Sequence, residues 1–385
     1  MIDRLLIFGA TGDLTGRYLL PALAELHDSA QLPEDFRVVG AAIEPWDDER
    51  FRAYAARELA EHTAPDVSAA SREVVLQALR YRQVDFDDPD SVAAVLAAAG
   101  DAHAPVAAYL ALPTALFPAA IEALQTAGLP PGSRLALEKP FGEDLGSARA
   151  LNALLQAPGT FGEEAIFRVD HVLGLATVQN LLAARFANRL LEPLWNSTHI
   201  ERVDILWDET LGLEGRASYY DHAGALRDVI QNHLLQILCI IAMERPEGAG
   251  EDPLRDARLA VLESIPSLSL GEAAARSRRA RYTAGRLAGA AGGAGKTVPS
   301  YVEEAGVDPA RDTETFAEIR LEIDNPRWRG TEFLLRTGKA LARPHKAAVL
   351  RFRPVPPLPF GTFEPPRPNE LHIGLDGPFG FAFHL

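Results

Sequence analysis

Leu5-Leu-Ile-Phe-Gly-Ala-Thr-Gly-Asp-Leu14 sets a short apolar run directly against a glycine turn. Leu5 to Ala10 reads as a buried strand, because its apolar character is continuous and its length suits a strand. Leu14, Tyr18, Leu19, Ala22, Leu23 and Leu26 recur at helical spacing, so a helix is expected after the turn. In such a strand–turn–helix unit, backbone N–H groups at the helix start meet a pyrophosphate. Gly9 and Gly12 let the chain turn tightly and approach the phosphates. The spacing is Gly-x-x-Gly, short of the full Gly-x-Gly-x-x-Gly, so a plain strand-to-helix turn is the competing reading.

The context favours the nucleotide reading. Phe36 to Ile43 reads as a second strand and Val106 to Leu112 as a later one ending at Pro113. Leu135 to Leu137 leads into Glu138-Lys-Pro-Phe-Gly142, and Ala165 to Val169 forms another apolar run. Strands alternating with helical segments imply a parallel sheet with crossover helices. The alternation stops near Asp170, which divides the chain into 1–170 and 171–385. The second strand ends Gly40-Ala-Ala-Ile-Glu44. An acidic residue there hydrogen-bonds the ribose 2′-OH of NAD, whereas an arginine accommodates the 2′-phosphate of NADP. Glu44 argues for NAD, but it also opens the charged stretch Glu44 to Arg50. Arg50 or Arg52 folding back onto a phosphate would serve NADP, so NAD or NADP stays open.

A second stretch, Arg168-Val-Asp-His-Val-Leu-Gly-Leu-Ala-Thr-Val-Gln-Asn180, places Asp170 and His171 at a strand end before a turn and a periodic segment. Strand ends are where α/β folds keep their chemistry. His233 falls on an apolar stripe with Leu226, Val229, Ile230, Leu234, Ile237, Ile240 and Ile241. A core histidine is the bland reading, but an inward imidazole needs a partner, and Asp170 would supply one. A histidine oriented by a carboxylate suits general-base chemistry near neutral pH. His199 reads as structural in the run Thr198 to Leu206, and His222 as a residue among turns that caps a helix. No His-x-x-x-His or cysteine pair has metal-ligand spacing, so no metal is expected.

Composition sets the bounds. The 385 residues are 47% hydrophobic, enough for a large core and for two domains or one large and one small unit. The net charge of -15 is a poor match for nucleic acid or an anionic membrane. Arg276, Arg278, Arg279 and Arg281 form one basic cluster, read as a solvated helix face beside a loop. The Ala/Gly/Arg-rich segment 272–298 reads as a helix end and a mobile loop, Gly289 to Lys296. The N-terminal apolar run is too short for a signal peptide, and no run approaches membrane-spanning length. The single cysteine, Cys239, excludes an internal disulfide and fits a reducing cytoplasm. Its apolar neighbours mark it as a core thiol.

Several blocks together resemble the glucose-6-phosphate dehydrogenase family. They are Phe8-Gly-Ala-Thr-Gly-Asp-Leu14, Leu110-Ala-Leu-Pro113, Glu138-Lys-Pro-Phe-Gly142 and Asp170-His171. Next come Phe186-Ala-Asn-Arg-Leu-Leu-Glu-Pro-Leu-Trp-Asn196 and the block Glu209 to Pro246, with Glu214-Gly-Arg216 and Arg227-Asp-Val-Ile-Gln-Asn-His-Leu-Leu-Gln236. Arg336-Thr-Gly-Lys-Ala-Leu341 and Asn369-Glu-Leu371 complete the set, which covers nearly the whole chain. The resemblance implies an α/β Rossmann-like N-terminal domain and an α+β C-terminal domain with a large, mostly antiparallel sheet. It implies oxidation of a hexose C1 hydroxyl to a lactone, with hydride passing to NAD or NADP. It assigns His233 as base and Asp170 as its orienting partner. Lys139, Glu209, Asp228 and Lys339 would contact the sugar, and His171 its phosphate. Gly9, Thr11, Gly12, Asp13, Leu14, Pro113 and Lys139 would hold the cofactor, with Glu44 at the ribose. A homodimer is a further expectation.

The pattern also breaks. Val172 and Leu175 stand where the signature has tyrosine and lysine, and Tyr18 where the first helix has a lysine. A phosphate dianion without those partners is poorly compensated, since one charged hydrogen bond contributes roughly 1.5–3 kcal/mol. Arg343, His345 or Lys346 would supply part of the missing charge. The substrate is then glucose 6-phosphate, or a sugar unphosphorylated or modified at that position. A non-catalytic regulatory paralogue is the alternative from another class, and keeping both Asp170 and His233 speaks against it. Family members continue past Asn369–Gly374, so a short last sheet is expected, with an open edge.

Overall fold

The structure, a computed structural model, describes residues 2–157, 161–248, 250–287, 295–354, 367–375 and 380–384. The chain splits into two compact units, Met1–Val169 and Asp170–Leu385.

In the first unit, β1 (Arg4–Phe8), β2 (Arg37–Ala42), β3 (Leu79–Gln83), β4 (Ala107–Leu110), β5 (Arg134–Glu138) and β6 (Ile166–Val169) form one sheet. Their order is β3-β2-β1-β4-β5-β6, and every pairing is parallel. Both faces are covered, which is why the inner strands read as unbroken apolar runs. Leu6, Phe8, Val39, Ala108 and Leu135 pack on one side with Val92, Val95, Phe117 and Ile121. Ile7, Val38 and Tyr81 pack on the other with Leu20, Phe51 and Leu59. The strand order reverses between β1 and β4, and Gly9 sits at that reversal. β3 went unanticipated. Its Leu-Arg-Tyr-Arg-Gln sequence buries only Leu79 and Tyr81, as an edge strand does.

The helix after the glycine turn departs from the expected stripe. Thr15–Leu19 is π-helical and Leu20–Asp28 α-helical. Pro21 has no N–H to donate to the carbonyl of Arg17, so the regular α ladder is interrupted there. The wider turn rotates the buried face to Thr15, Gly16, Leu20, Leu23 and Ala24, leaving Tyr18 and Leu26 exposed.

In the second unit, β7 (Ile200–Asp208), β8 (Ser277–Ala280), β9 (Gly285–Leu287) and β10 (Lys296–Val298) precede β11 (Phe316–Glu322) and β12 (Glu332–Gly338). β13 (His345–Phe352), β14 (Glu370–Gly374) and β15 (Gly380–His384) follow. Seven of them form a sheet in the order β15-β14-β13-β7-β12-β11-β8. β7 and β12 run parallel, and the other pairs are antiparallel. β9 and β10 form a separate hairpin-like pair. The arginine cluster is therefore not a helix face. Arg276 ends the helix Leu270–Arg276, while Arg278 and Arg279 lie on the edge strand β8. Charged edge strands resist pairing with foreign strands. The expected loop Gly289 to Lys296 lies largely outside the described residues, and Lys296 opens β10.

Strand alternation sets the faces of this sheet. Val203, Ile205 and Trp207 point into the core, whereas Asp204 pairs on the other side with Arg202 and Arg351. The core face is covered by the helical stretch Tyr219–Ala242, which by length and hydropathy would suit a membrane. It is instead this unit's central helix, with 61% of that window buried, and it is interrupted at Gly224. Its final carbonyls are satisfied by side chains. Arg185 donates to Ile240 and Met243, Trp195 to Ile241, and Trp328 to Ala242, at 2.7–2.9 Å. Cys239 is buried on this helix, and burial pushes its thiol up to about 12.

Gly9 has φ +87°, and a Cβ there would fall 2.1 Å from the Ala111 carbonyl oxygen. Gly9→Ala combines left-handed strain with overpacking, so we expect about 2–4 kcal/mol of destabilisation. Urea unfolding of the variant measures it, and wild-type stability would refute the close-approach account.

Candidate active site

His233 lies on the π-helical segment Leu226–Leu234 and is 4% exposed. Single π segments recur at functional sites because they re-aim one side chain within an otherwise regular helix. Val229, Ile230 and Leu234 are buried beside it as expected, whereas Leu226 is 39% exposed and leaves the stripe. His233 Nδ1 lies 2.6 Å from Asp170 Oδ1. An ionised carboxylate only accepts, so Nδ1–H donates and Nε2 becomes the basic nitrogen. Burial alone would raise the Asp170 carboxyl. The hydrogen bond and charge of His233, with the Val172 N–H at 3.1 Å, hold it below the ordinary carboxylate range instead. Asp170 thereby also caps the short turn His171–Gly174.

His171 is exposed, and its ring meets that of His233 edge-on at 4.5 Å between centroids. Trp207 flanks His233 at 6.1 Å and carries Lys346 Nζ over its ring at 4.7 Å. Lys346 is 3.9 Å from Glu209, and Glu209 binds the buried Lys339 at 2.8 Å. Lys339 also sits over the Tyr220 ring at 5.3 Å. One continuous wall thus joins His171, His233, Trp207, Lys346, Glu209 and Lys339. Asp228 accepts from the Tyr219 hydroxyl at 3.2 Å on the same helical stretch as His233. Trp207, Tyr219 and Tyr220 were not singled out from the sequence, since nothing in their spacing separates them from ordinary core aromatics. Lys346 joins the wall, while Arg343 and His345 are exposed. His222 lies within the helix Ala217–Ala225 rather than among turns.

Val172 is fully buried, and Leu175 packs against the same core. These two positions therefore carry apolar packing and no charge. Asp170, His171 and His233 each bring a ligand-type atom within 4.8 Å of the others. Within that group the Nδ1 of His233 faces its carboxylate partner.

In the first unit, the remaining candidates cluster at the sheet reversal. Gly9 and Ala10 donate to the Ala41 carbonyl at 2.8 and 3.1 Å, which lashes the turn to the end of β2. Gly12 and Asp13 are exposed, while Thr11 and Leu14 are half-buried. The Thr11 hydroxyl donates to Glu44 at 2.9 Å, so the carboxylate lies beside the glycine turn. Ile43 is 75% exposed. Arg52 is bound to the Leu79 carbonyl, and Arg50 stacks on Trp46 at 5.1 Å. Pro113 follows β4 and Lys139 follows β5, at the same ends of their strands as Gly9. The bare backbone at Gly9, where any side chain would strike Ala111, fits a dinucleotide phosphate.

Two family profiles match in sequence order. "Glucose-6-phosphate dehydrogenase, NAD binding domain" covers residues 6–180, and "Glucose-6-phosphate dehydrogenase, C-terminal domain" covers 182–384. Glucose-6-phosphate 1-dehydrogenase of Zymomonas mobilis is 39% identical over 97% of this chain and 76% of its own length. That of Gluconobacter oxydans is 42% identical over 98% and 76%. The crystal structure of glucose-6-phosphate 1-dehydrogenase from Mycobacterium avium superposes with a TM-score of 0.84 at 35% identity, covering all of this chain and 80% of the other. A glucose-6-phosphate dehydrogenase in complex with its substrate glucose-6-phosphate gives 0.86 at 30%, over 99% and 77%. With the two profiles matching residues 6–180 and 182–384, the doubly wound sheet in place and the relatives aligned along nearly the full length of this chain, the chain belongs to the glucose-6-phosphate dehydrogenase family of NAD(P)-dependent dehydrogenases acting on CH–OH groups.

Proposed function

We propose that this protein oxidises the C1 hydroxyl of glucose 6-phosphate to the lactone, with His233 as general base and Asp170 as its orienting partner. The observation that carries the reading is the buried His233–Asp170 pair at 2.6 Å, beside the Glu209–Lys339 pair. Loss of hydride from C1 leaves an electron-poor carbon unless the hydroxyl proton leaves too. Nε2 of His233 receives that proton, and Asp170 stabilises the imidazolium that results. Glu209, Lys339, Asp228 and Lys139 hold the sugar hydroxyls, and His171 and Lys346 meet the phosphate. Gly9, Thr11, Gly12, Asp13, Leu14 and Pro113 would hold the nicotinamide dinucleotide, which when bound would supply the hydride acceptor.

The cofactor is NAD. Glu44 stands beside the turn where the ribose 2′-OH is read, Ile43 offers no charge to a 2′-phosphate, and Arg50 and Arg52 are engaged elsewhere. A second reading rests on Leu175. That side chain belongs to the core and gives nothing to a phosphate, which favours a sugar lacking the 6-phosphate.

Initial-rate assays of NADH and NADPH formation, with glucose 6-phosphate and with glucose, test both readings. NADH is expected to dominate, and His233→Asn should lower kcat by roughly 10²–10⁴. Wild-type turnover in that variant would sink the base assignment. Leu175→Lys should raise the preference for glucose 6-phosphate over glucose about tenfold, the worth of one charged contact. An unchanged ratio would show that His171 and Lys346 suffice.

The lowered Asp170 pKa fixes a sign for stability against pH. Its stabilising contribution is complete above the unfolded value of 3.8 and is lost as pH falls through the depressed folded value. Asp170→Asn should therefore be less stable at neutral pH and show a shallower loss of stability below about pH 4. Denaturation midpoints between pH 3 and 7 decide this, and parallel curves would contradict it.

A further inference from the structure

Thr313-Glu-Thr315 leads into β11 and is buried, with Thr313 and Glu314 each 9% exposed and Thr315 1%. It binds two elements of the site at once. The Glu314 carbonyl accepts Ala225 N–H at 3.1 Å, and its Oε1 accepts Leu226 N–H at 2.9 Å. Those amides open the segment on which His233 lies. One residue on, the Thr315 carbonyl accepts Lys339 N–H at 2.8 Å. The same short segment therefore sets where the histidine helix starts and where the Lys339–Glu209 pair stands.

Three observations give the contact at Glu314 its rigidity. The helical stretch breaks at Gly224, φ +70°, where a Cβ would lie 2.6 Å from Glu314 Oε1, so glycine admits the carboxylate as well as the turn. Arg279 stands 3.7 Å from Oε2. Thr313 donates to the Asp221 carbonyl at 2.6 Å. The buried Asp221 carboxylate in turn accepts from Tyr301, the Asp308 N–H and Arg311, at 2.7, 3.0 and 2.8 Å. A carboxylate at a helix start also complements the partial positive charge there.

We propose that Glu314 is a positioning residue for the reaction: it touches no reacting atom, and it fixes the register of His233 against Lys339 by capping the segment after Gly224. The proposal rests on His233 being the base. Displacement of a base by about 1 Å can cost on the order of a hundredfold in rate.

The test uses the full chain with Glu314→Ala, Glu314→Gln and Gly224→Ala, assayed with glucose 6-phosphate and NAD. The readouts are kcat, KM, the pH profile of kcat, and the downfield proton resonance of His233 Nδ1–H, assigned by its loss in His233→Asn. Glu314→Ala should lower kcat by roughly ten- to a hundredfold, displace the acid limb of the profile and shift the resonance. Glu314→Gln keeps an acceptor for Leu226 N–H and should restore kcat to within about threefold, with the resonance in place. Gly224→Ala should reproduce the loss with Glu314 intact. A folded Glu314→Ala with wild-type kcat, profile and resonance overturns the proposal, as does a drop in melting temperature alone. Should that variant fail to fold, Glu314→Asp, which withdraws the carboxylate by one methylene, is compared with Glu314→Gln; a slower aspartate variant supports the proposal and equal rates overturn it. Wild-type turnover in His233→Asn would overturn the base reading and this proposal together. Loss there with none in Glu314→Ala would overturn this proposal only.

Discussion

A helix driven into a protein interior must find partners for the backbone groups at both of its ends, since water is not there to supply them. The stretch from Ala225 to Met243 meets this constraint largely with side chains, helped at its start by the Glu314 carbonyl. At its far end the carbonyls of Ile240, Ile241, Ala242 and Met243 are taken by Arg185, Trp195 and Trp328. At its near end the opening amides are taken by Glu314. The solution imposes its own cost, because Arg185 is fully buried and burial pulls its guanidinium down to about 10 against the charge of Glu192. Glu192 is shared with Arg327, which also binds Glu244. Much of the block Phe186–Asn196 therefore serves the helix rather than the chemistry.

The site inherits its geometry from that arrangement. His233 sits between two fixed ends, on a segment whose wider turn aims the imidazole at Asp170. Asp170 holds the histidine and caps its own turn with the same carboxylate oxygen, so loosening one contact loosens the other. Trp207, held in β7 by the alternation of the sheet, touches both the histidine and Lys346.

Much of this was legible from the residues. The strand–glycine–helix opening announced the doubly wound sheet, and an inward histidine demanded a carboxylate, which Asp170 supplies. The unread parts share physical causes. β3 hid because an edge strand alternates arginine with apolar residues and lacks the unbroken run of its neighbours. The stripe of the first helix was misplaced because a π-turn adds a residue that spacing arguments assume absent. The arginines of β8 looked helical because a short edge strand has little apolar pattern of its own. Glu314 was invisible for a different reason. Its partner amides lie some ninety positions away, and a glutamate before a strand carries no mark that it caps a distant helix.

Cys239, the chain's only cysteine, lies against the core with its thiol held un-ionised far above neutral pH. Thiolate is the reactive form, so this sulfur is silent toward maleimides and iodoacetamides while the fold is intact. A cysteine introduced on any exposed surface is then the single addressable handle of the native molecule. Slow labelling of Cys239 itself becomes a clock for the opening of the central helix, reported by a residue that needs no engineering.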